Sequence, residues 1–292
     1  MTADPGPRRT IRLDTVMSMP SPNEMTAQNY DQYLELPGFR DTGYHLTRQN
    51  RLDPEVALGW SLSLPYELGP DRIIDGPGPA PEPKKGLKKL FGGGGDESRN
   101  RHMLNGSWSV TDGKGALQTA LALLNDAGDP GYRALRPTLS YLVPLPVAER
   151  GQHVHGIIAA TREAVDPEVP DEAVAAEVRR IVGPFLMEES VMSLPSTLPA
   201  DTVGWDTARA LRILWMAHGA GYITEQDAEP LVRGALDITR QAYGSWREHA
   251  DGFIVGRTQW CETIDESSFE YVGGMAIALH HPESPWVSTP LH

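Results

Sequence analysis

The stretch from Val203 to Cys261 constrains the fold of this chain more than any other. From Gly204 on it reads GWDTARALRILWMAHGAGYITEQDAEPLVRGALDITRQAYGSWREHADGFIVGRTQWC, and it holds four of the seven tryptophans. At 100° per residue, Ala208, Leu211 and Trp215 share one side of a helix over 205–218. Trp205 and Met216 form a neighbouring line, and Ile213 and Leu214 cover much of the rest. A helix that is apolar nearly all round is a buried one. Arg209 and Arg212 interrupt this surface beside the Trp205–Met216 line, so their guanidiniums need carboxylates or carbonyls as partners. Asp206, three residues before Arg209, is the nearest acid and sits well at the positive helix start.

Gly219-Ala220-Gly221 predicts the helix end, because glycine takes the left-handed conformation of a C-terminal cap. Thr224 and Asp227 have the spacing of a capping box and open a second helix. Ala228, Leu231, Val232, Ala235, Thr239, Ala242 and Trp246 make one stripe along it, about 27 Å long. Pro230 predicts a bend or a start nearer Ala228. The two helices are expected to lie antiparallel across a short turn.

Around this pair the chain reads as mainly α, a single irregular multi-helix domain with a long loop-rich N-terminal region and five to seven helices. Residues 1–25 are expected to be a disordered tail, and 26–74 a segment that packs on the body through Tyr30, Tyr33, Phe39 and Tyr44. Within it, VALGWSLSLPYEL is a short helix broken at Pro65. Residues 75–103 form a flexible Pro/Gly-rich linker, and 104–292 the helical domain. The linker's KKGLKKLF reads first as a solvated loop and second as a docking patch. Its four glycines are no phosphate loop, since no G-K-[ST] follows. Thr111 is the expected N-cap of a helix carrying Leu117, Leu121 and Leu124, stopped at Gly128-Asp129-Pro130. Two more helical stripes are Val154, Ile157, Ile158, Thr161, Val165 and Val174, Val178, Ile181, Val182, Phe185; the second begins at Asp171 and is disturbed at Gly183-Pro184. Phe253–Cys261 is expected to be a short helix, Met275–Leu279 part of a last one, and ESPWVSTPLH extended.

A net charge of −13 argues against electrostatic binding of nucleic acid or an anionic membrane surface. One cysteine excludes an internal disulfide and fits a reducing, cytoplasmic setting. No apolar run approaches the ~20 residues of a membrane span, and the first residues lack the apolar core of a signal peptide.

Candidate chemistry is sparse. His153 and His155, two apart on a helix, diverge by about 200° and do not form a metal site; no cofactor is expected. His280, His281 and His292 are expected in solvent. Cys261 reads as an inert thiol beside Trp260, and Glu262, Asp265, Glu266 and Glu270 as a solvated acidic loop. Arg257 lies in a tryptophan-rich segment, where a guanidinium stacks on an indole or pairs with an acid.

Four ordered blocks, NGSWSVTDGKGALQTALALLNDAGD, GWDTARALRILWMAHGAGYITEQDA, YGSWREHADGFIVGRTQW and SPWVSTPL, resemble the bacterial DUF1266 family over about residues 105–292. The family pattern falls on Trp108, Trp205, Asp206, Arg209, Gly221, Tyr222, Ser245, Trp246, Gly256, Arg257, Trp260 and Trp286. Pro230 and the closing TPLH depart from it. The resemblance implies a helical fold and carries no reaction, substrate or cofactor. From the residues, the expected function is a non-enzymatic binding or regulatory domain whose surface of Trp205, Asp206, Arg209, Trp246, Arg257 and Trp260 holds a protein partner or a small anionic ligand. The rivals are an enzyme, a hydrolase or toxin-like effector acting on an anionic substrate at these residues, and an oligomeric structural element.

Overall fold

The computed structural model describes Tyr30, Leu46–Thr47, residues 52–66, Arg72–Ile73, residues 76–77 and residues 96–292. The expected tail 1–25, most of the segment 26–74 and KKGLKKLF lie outside the described residues. Of the four aromatics assigned to packing, only Tyr30 is described, and it is buried.

The domain is mainly α and is assembled around one helix. Helix α1 (Pro54–Trp60) begins with Asp53 as N-cap and Pro54 in the first turn, then tightens into a 3₁₀ segment, Ser61–Tyr66, that contains Pro65. A two-residue parallel pairing joins Leu46–Thr47 to Arg72–Ile73. Then follow α2 (Asp96–Trp108), α3 (Gly113–Asn125), α4 (Pro130–Leu142), α5 (Val154–Ala164) and α6 (Asp171–Val182). The C-terminal half contributes α7 (Val203–Gly219), α8 (Glu225–Ala242), α9 (Trp246–Cys261) and α10 (Glu266–His280), with a last turn at Pro285–Ser288. Among the described residues, no helix is long and apolar enough to cross a membrane.

Helix α7 is enclosed by α3, α8, α9, α2 and the 61–66 segment, and Ala208, Ala210, Leu211, Ile213, Leu214 and Ala217 have no exposure. Its C-terminus is a Schellman motif. Gly221 takes φ +70°, the Tyr222 N–H reaches the Ala217 carbonyl and the Gly221 N–H that of His218. The Thr224–Asp227 capping box is present in both directions. The N-terminus of α7 is capped from outside: the buried Tyr243 hydroxyl accepts from the Gly204 N–H and donates to the Asp201 carbonyl, both at 2.9 Å. Where α9 crosses α7, glycines remove the side chains that would separate the backbones. A Cβ on Gly204 would stand 2.7 Å from the His249 carbonyl oxygen, and one on Gly256 2.8 Å from Trp205 Cβ.

Several expectations are corrected. Among the described residues there are nine helices of eleven or more residues, α2 to α10, not five to seven. Residues 96–103, expected as part of a linker, lie in α2, which starts at Asp96. That helix is polar, with Leu104 its fully buried anchor, and its Arg101 side chain hydrogen-bonds the Ala220 carbonyl. Asp112, not Thr111, caps α3, accepting from the Gly115 N–H at 2.7 Å. The buried stripe of α3 is Ala116, Ala120 and Leu124, while Leu121 faces outward. Helix α8 runs through Pro230 from Glu225 and ends at Ala242, so Trp246 belongs to the next helix, capped by Ser245 accepting from Glu248. Helix α9 is sixteen residues, not a short piece after Phe253. The C-terminal residues are folded back: Trp286 is buried and bonded to Ser61, and Arg240 holds the Leu291 carbonyl. His292, although exposed, reaches the Tyr243 carbonyl oxygen at 2.9 Å.

Candidate functional site

Asp206 and Arg209 face each other one turn apart near the start of α7 and form an ion pair. The second Asp206 oxygen accepts from the Gly128 N–H at 2.9 Å, tying the α3–α4 turn to α7. The Arg209 guanidinium is surrounded by indoles, with its carbon 5.0 Å from the ring centre of Trp205, 5.6 Å from Trp260 and 5.9 Å from Trp108. Cation–π attraction and the carboxylate together hold it in place. Among the described residues, Arg209 Nε and Trp205 Nε1 are buried donors with no hydrogen-bond partner.

Arg209 and Arg212 of α7 open onto a cavity of about 360 Å³. Pro65 and Tyr66 close it from the 3₁₀ segment, Met103 and Trp108 from α2, Met216 from α7, and Glu270 and Tyr271 from α10. The ring contacts are continuous: Tyr66 lies 6.0 Å from Trp205 and 5.4 Å from Tyr271. Burial pushes both the Tyr66 and the Tyr271 hydroxyl above the ordinary phenol value, so each stays protonated and able to donate. The wall therefore carries two guanidiniums, two phenol side chains and an indole, with one carboxylate, Glu270.

Trp205, Asp206, Arg209 and Trp260 are thus brought together, with Trp260 the exposed member at 64%. Arg257 stands one ring further in. It is enclosed, 5% exposed, and bonded to Ser267, Ser268 and Asp265 at the start of α10, with its charge 4.8 Å from the Tyr271 ring. It fixes the α9–α10 turn and the ring that lines the cavity. Burial opposes ionisation of Asp265, but the Ser267 hydroxyl and the Arg257 charge hold its carboxyl below the usual value. Trp246 does not join the group. It starts α9, about 21 Å along the helix from Trp260, and stacks on Trp286 with ring centres 4.9 Å apart. Glu270 leaves the expected solvated acidic loop and becomes part of the cavity wall. Burial raises the Cys261 thiol above its ordinary value, which makes it a weaker nucleophile. His153 lies edge-on to Tyr141 of α4, with ring centres 6.2 Å apart. Among the described residues, no group of three or more His, Cys, Asp or Glu side chains could hold a metal ion.

Reading from the sequence found Arg209 and its neighbours on α7 but missed Tyr66, Met103 and Tyr271, which come from segments far apart in the chain. Arg212, on the same side of α7 as Arg209, was the available signal.

Fold and cavity define a mainly helical domain built on one buried helix whose arginines open onto an aromatic-lined pocket. The chain belongs to the DUF1266 family, described as a protein of unknown function, whose model matches residues 103–291. No curated protein and no solved structure matches it.

Proposed function

We propose that this is a non-enzymatic ligand-binding domain, acting in the cytoplasm, that takes a small anionic molecule with an aromatic or apolar portion in the Arg209–Arg212 cavity. The carrying observation is the convergence of two α7 guanidiniums with Tyr66, Trp108 and Tyr271 on one space of about 360 Å³. That volume lies within the ~300–1,000 Å³ of small-molecule sites. An anion there would meet the guanidiniums of Arg212 and of Arg209, the latter already paired with Asp206. The rings and the methionines Met103 and Met216 would cover the apolar part, and Glu270 would favour a ligand that also carries a donor. A lone cysteine, and thus no internal disulfide, supports the reducing compartment.

The test uses 1-anilinonaphthalene-8-sulfonate, an aromatic anion whose emission rises on binding. The full chain is expected to bind it saturably at one site. Arg212→Ala should weaken binding by about tenfold or more, the loss of one charge-assisted hydrogen bond, and Arg212→Lys should recover part of it. Affinity unchanged by Arg212→Ala would contradict the proposal.

A further inference from the structure

A second opening lies away from this cavity. Helices α4 and α5 each pack on α6 but scarcely on one another, which leaves a groove of about 690 Å³ with α6 as its floor. Val174, Val178 and Ile181 form the apolar base. The walls are small where they face each other: Ala134 on α4, and Gly156, Ala160 and Ala164 at four-residue spacing on α5, all exposed. Three helices of a bundle are present with the fourth position open, and short wall side chains permit a helix backbone to come close. A small apolar molecule in so open a trough would keep much of its surface in water.

Charge selects the occupant. Glu163, Asp166, Glu168 and Glu172 are exposed and adjoin lining residues at one end of the groove. Of the cations that adjoin lining residues, Arg162 is bonded to the carbonyls of Val165, Asp166 and Val169 and pairs with Asp171, Arg133 pairs with Asp201, and Arg179 is exposed on α6. Glu177, which lines the groove, is held by Arg180 at 2.6 Å. We infer that the groove docks an amphipathic helix of a partner protein, apolar on one face and lysine- or arginine-rich on the other. From the thirteen residues of α4 and eleven of α5, the docked segment spans about three to four turns.

The experiment measures fluorescence anisotropy of the full chain with a labelled peptide of about 14 residues. Leucines stand at i, i+3, i+4 and i+7 and lysines elsewhere. Two control peptides accompany it: a scramble of the same composition, and a version with glutamate for lysine. The amphipathic lysine peptide is expected to bind at least tenfold more tightly than either control. Ala160→Trp, which fills the groove from an exposed position, should weaken it at least tenfold while the circular-dichroism melt is retained. Ala134→Trp on the facing wall provides the same test should the first variant fold poorly. Equal binding of the scramble, no binding to the unsubstituted chain, or affinity unmoved by both tryptophans would overturn the inference. A dimeric mass by light scattering that Ala160→Trp abolishes would overturn it too, placing a second copy in the groove.

Discussion

Gly252→Ala is expected to lower stability by about 3 kcal/mol or more, the sum of the low ends of the overpacking and orphaned-group costs. A Cβ at this position would stand 2.0 Å from the Tyr243 hydroxyl oxygen, 2.6 Å from its Cζ and 2.9 Å from the Asp201 carbonyl oxygen. The tyrosine cannot swing aside, because it is 2% exposed and its ring lies against His249. Its hydroxyl is also the outside cap of α7, where the N-cap residue Thr202 offers no side-chain bond. Displacing it leaves the buried Gly204 N–H and the part-buried Asp201 carbonyl unpaired. Overpacking costs about 1–3 kcal/mol and each orphaned group about 1–3 kcal/mol. At about 2–4 °C per kcal/mol, the thermal midpoint should fall on the order of 10 °C. Gly234→Ala on α8 is the control. Nothing lies within 4 Å of its added Cβ, so it should be neutral or stabilising by about 0.5–1 kcal/mol. Similar melts for the two variants would contradict the close α7–α9 crossing.

Asp251→Asn is expected to change how stability depends on pH. The Asp251 carboxyl is 8% exposed; burial pushes its pKa up to about 7, although Arg247 at 3.6 Å and the Tyr30 hydroxyl pull it down. Its neighbour His249 has no exposure, both ring nitrogens lack a hydrogen-bond partner among the described residues, and the rings of Tyr243, Trp246 and Trp286 surround it. Burial holds its pKa down to about 3. The two groups act with opposite sign. His249 stays neutral in the fold while the unfolded chain protonates near 6.5, so its contribution is present above that pH and is lost on acidification. Asp251 binds its proton more tightly folded than unfolded, so its contribution grows as pH falls from about 7 to about 3.8. Between about pH 4 and 6.5 each has a slope of about 1.4 kcal/mol per pH unit, and in the unsubstituted chain they nearly cancel. Removing Asp251 unmasks His249. Relative to the unsubstituted chain, Asp251→Asn should gain about 4 kcal/mol between pH 4 and pH 8. Urea unfolding at these two pH values measures it, and parallel stabilities would refute the assignment.

Fold and cavity were legible in the sequence to different degrees, for physical reasons. Helices with one wet face announce themselves by period, and the buried residues of α6 and most of those of α8 followed from theirs. Helix α9 did not. It is buried along most of its length, carries Gly252 and Gly256 for its crossing of α7, and mixes Arg247, His249 and Asp251 into its interior. Burial on all sides erases the periodic signal. Its start was still marked by Ser245 and Glu248, a capping spacing that the stripe ending at Trp246 obscured. Helix α2 was lost to its polarity. At the cavity, the Asp206–Arg209 pair is a local fact at three-residue spacing and was readable. Tyr66 and Tyr271 reach the same wall through packing of segments about two hundred positions apart, which no local pattern encodes. Trp246 was grouped with Trp205 by nearness in sequence, whereas the length of α9 carries it to the opposite end.

On the proposed function, the space beside Arg209 and Arg212 receives an anion. Met103 and Met216 border that space, whereas Met187, Met192 and Met275 do not, so methyl-¹³C-methionine NMR reads occupancy there directly. On titration with 1-anilinonaphthalene-8-sulfonate, the Met103 and Met216 resonances should shift saturably while those three hold still, and Arg212→Ala should remove the shifts. Resonances of Met103 and Met216 that stay in place while the dye binds would contradict the account.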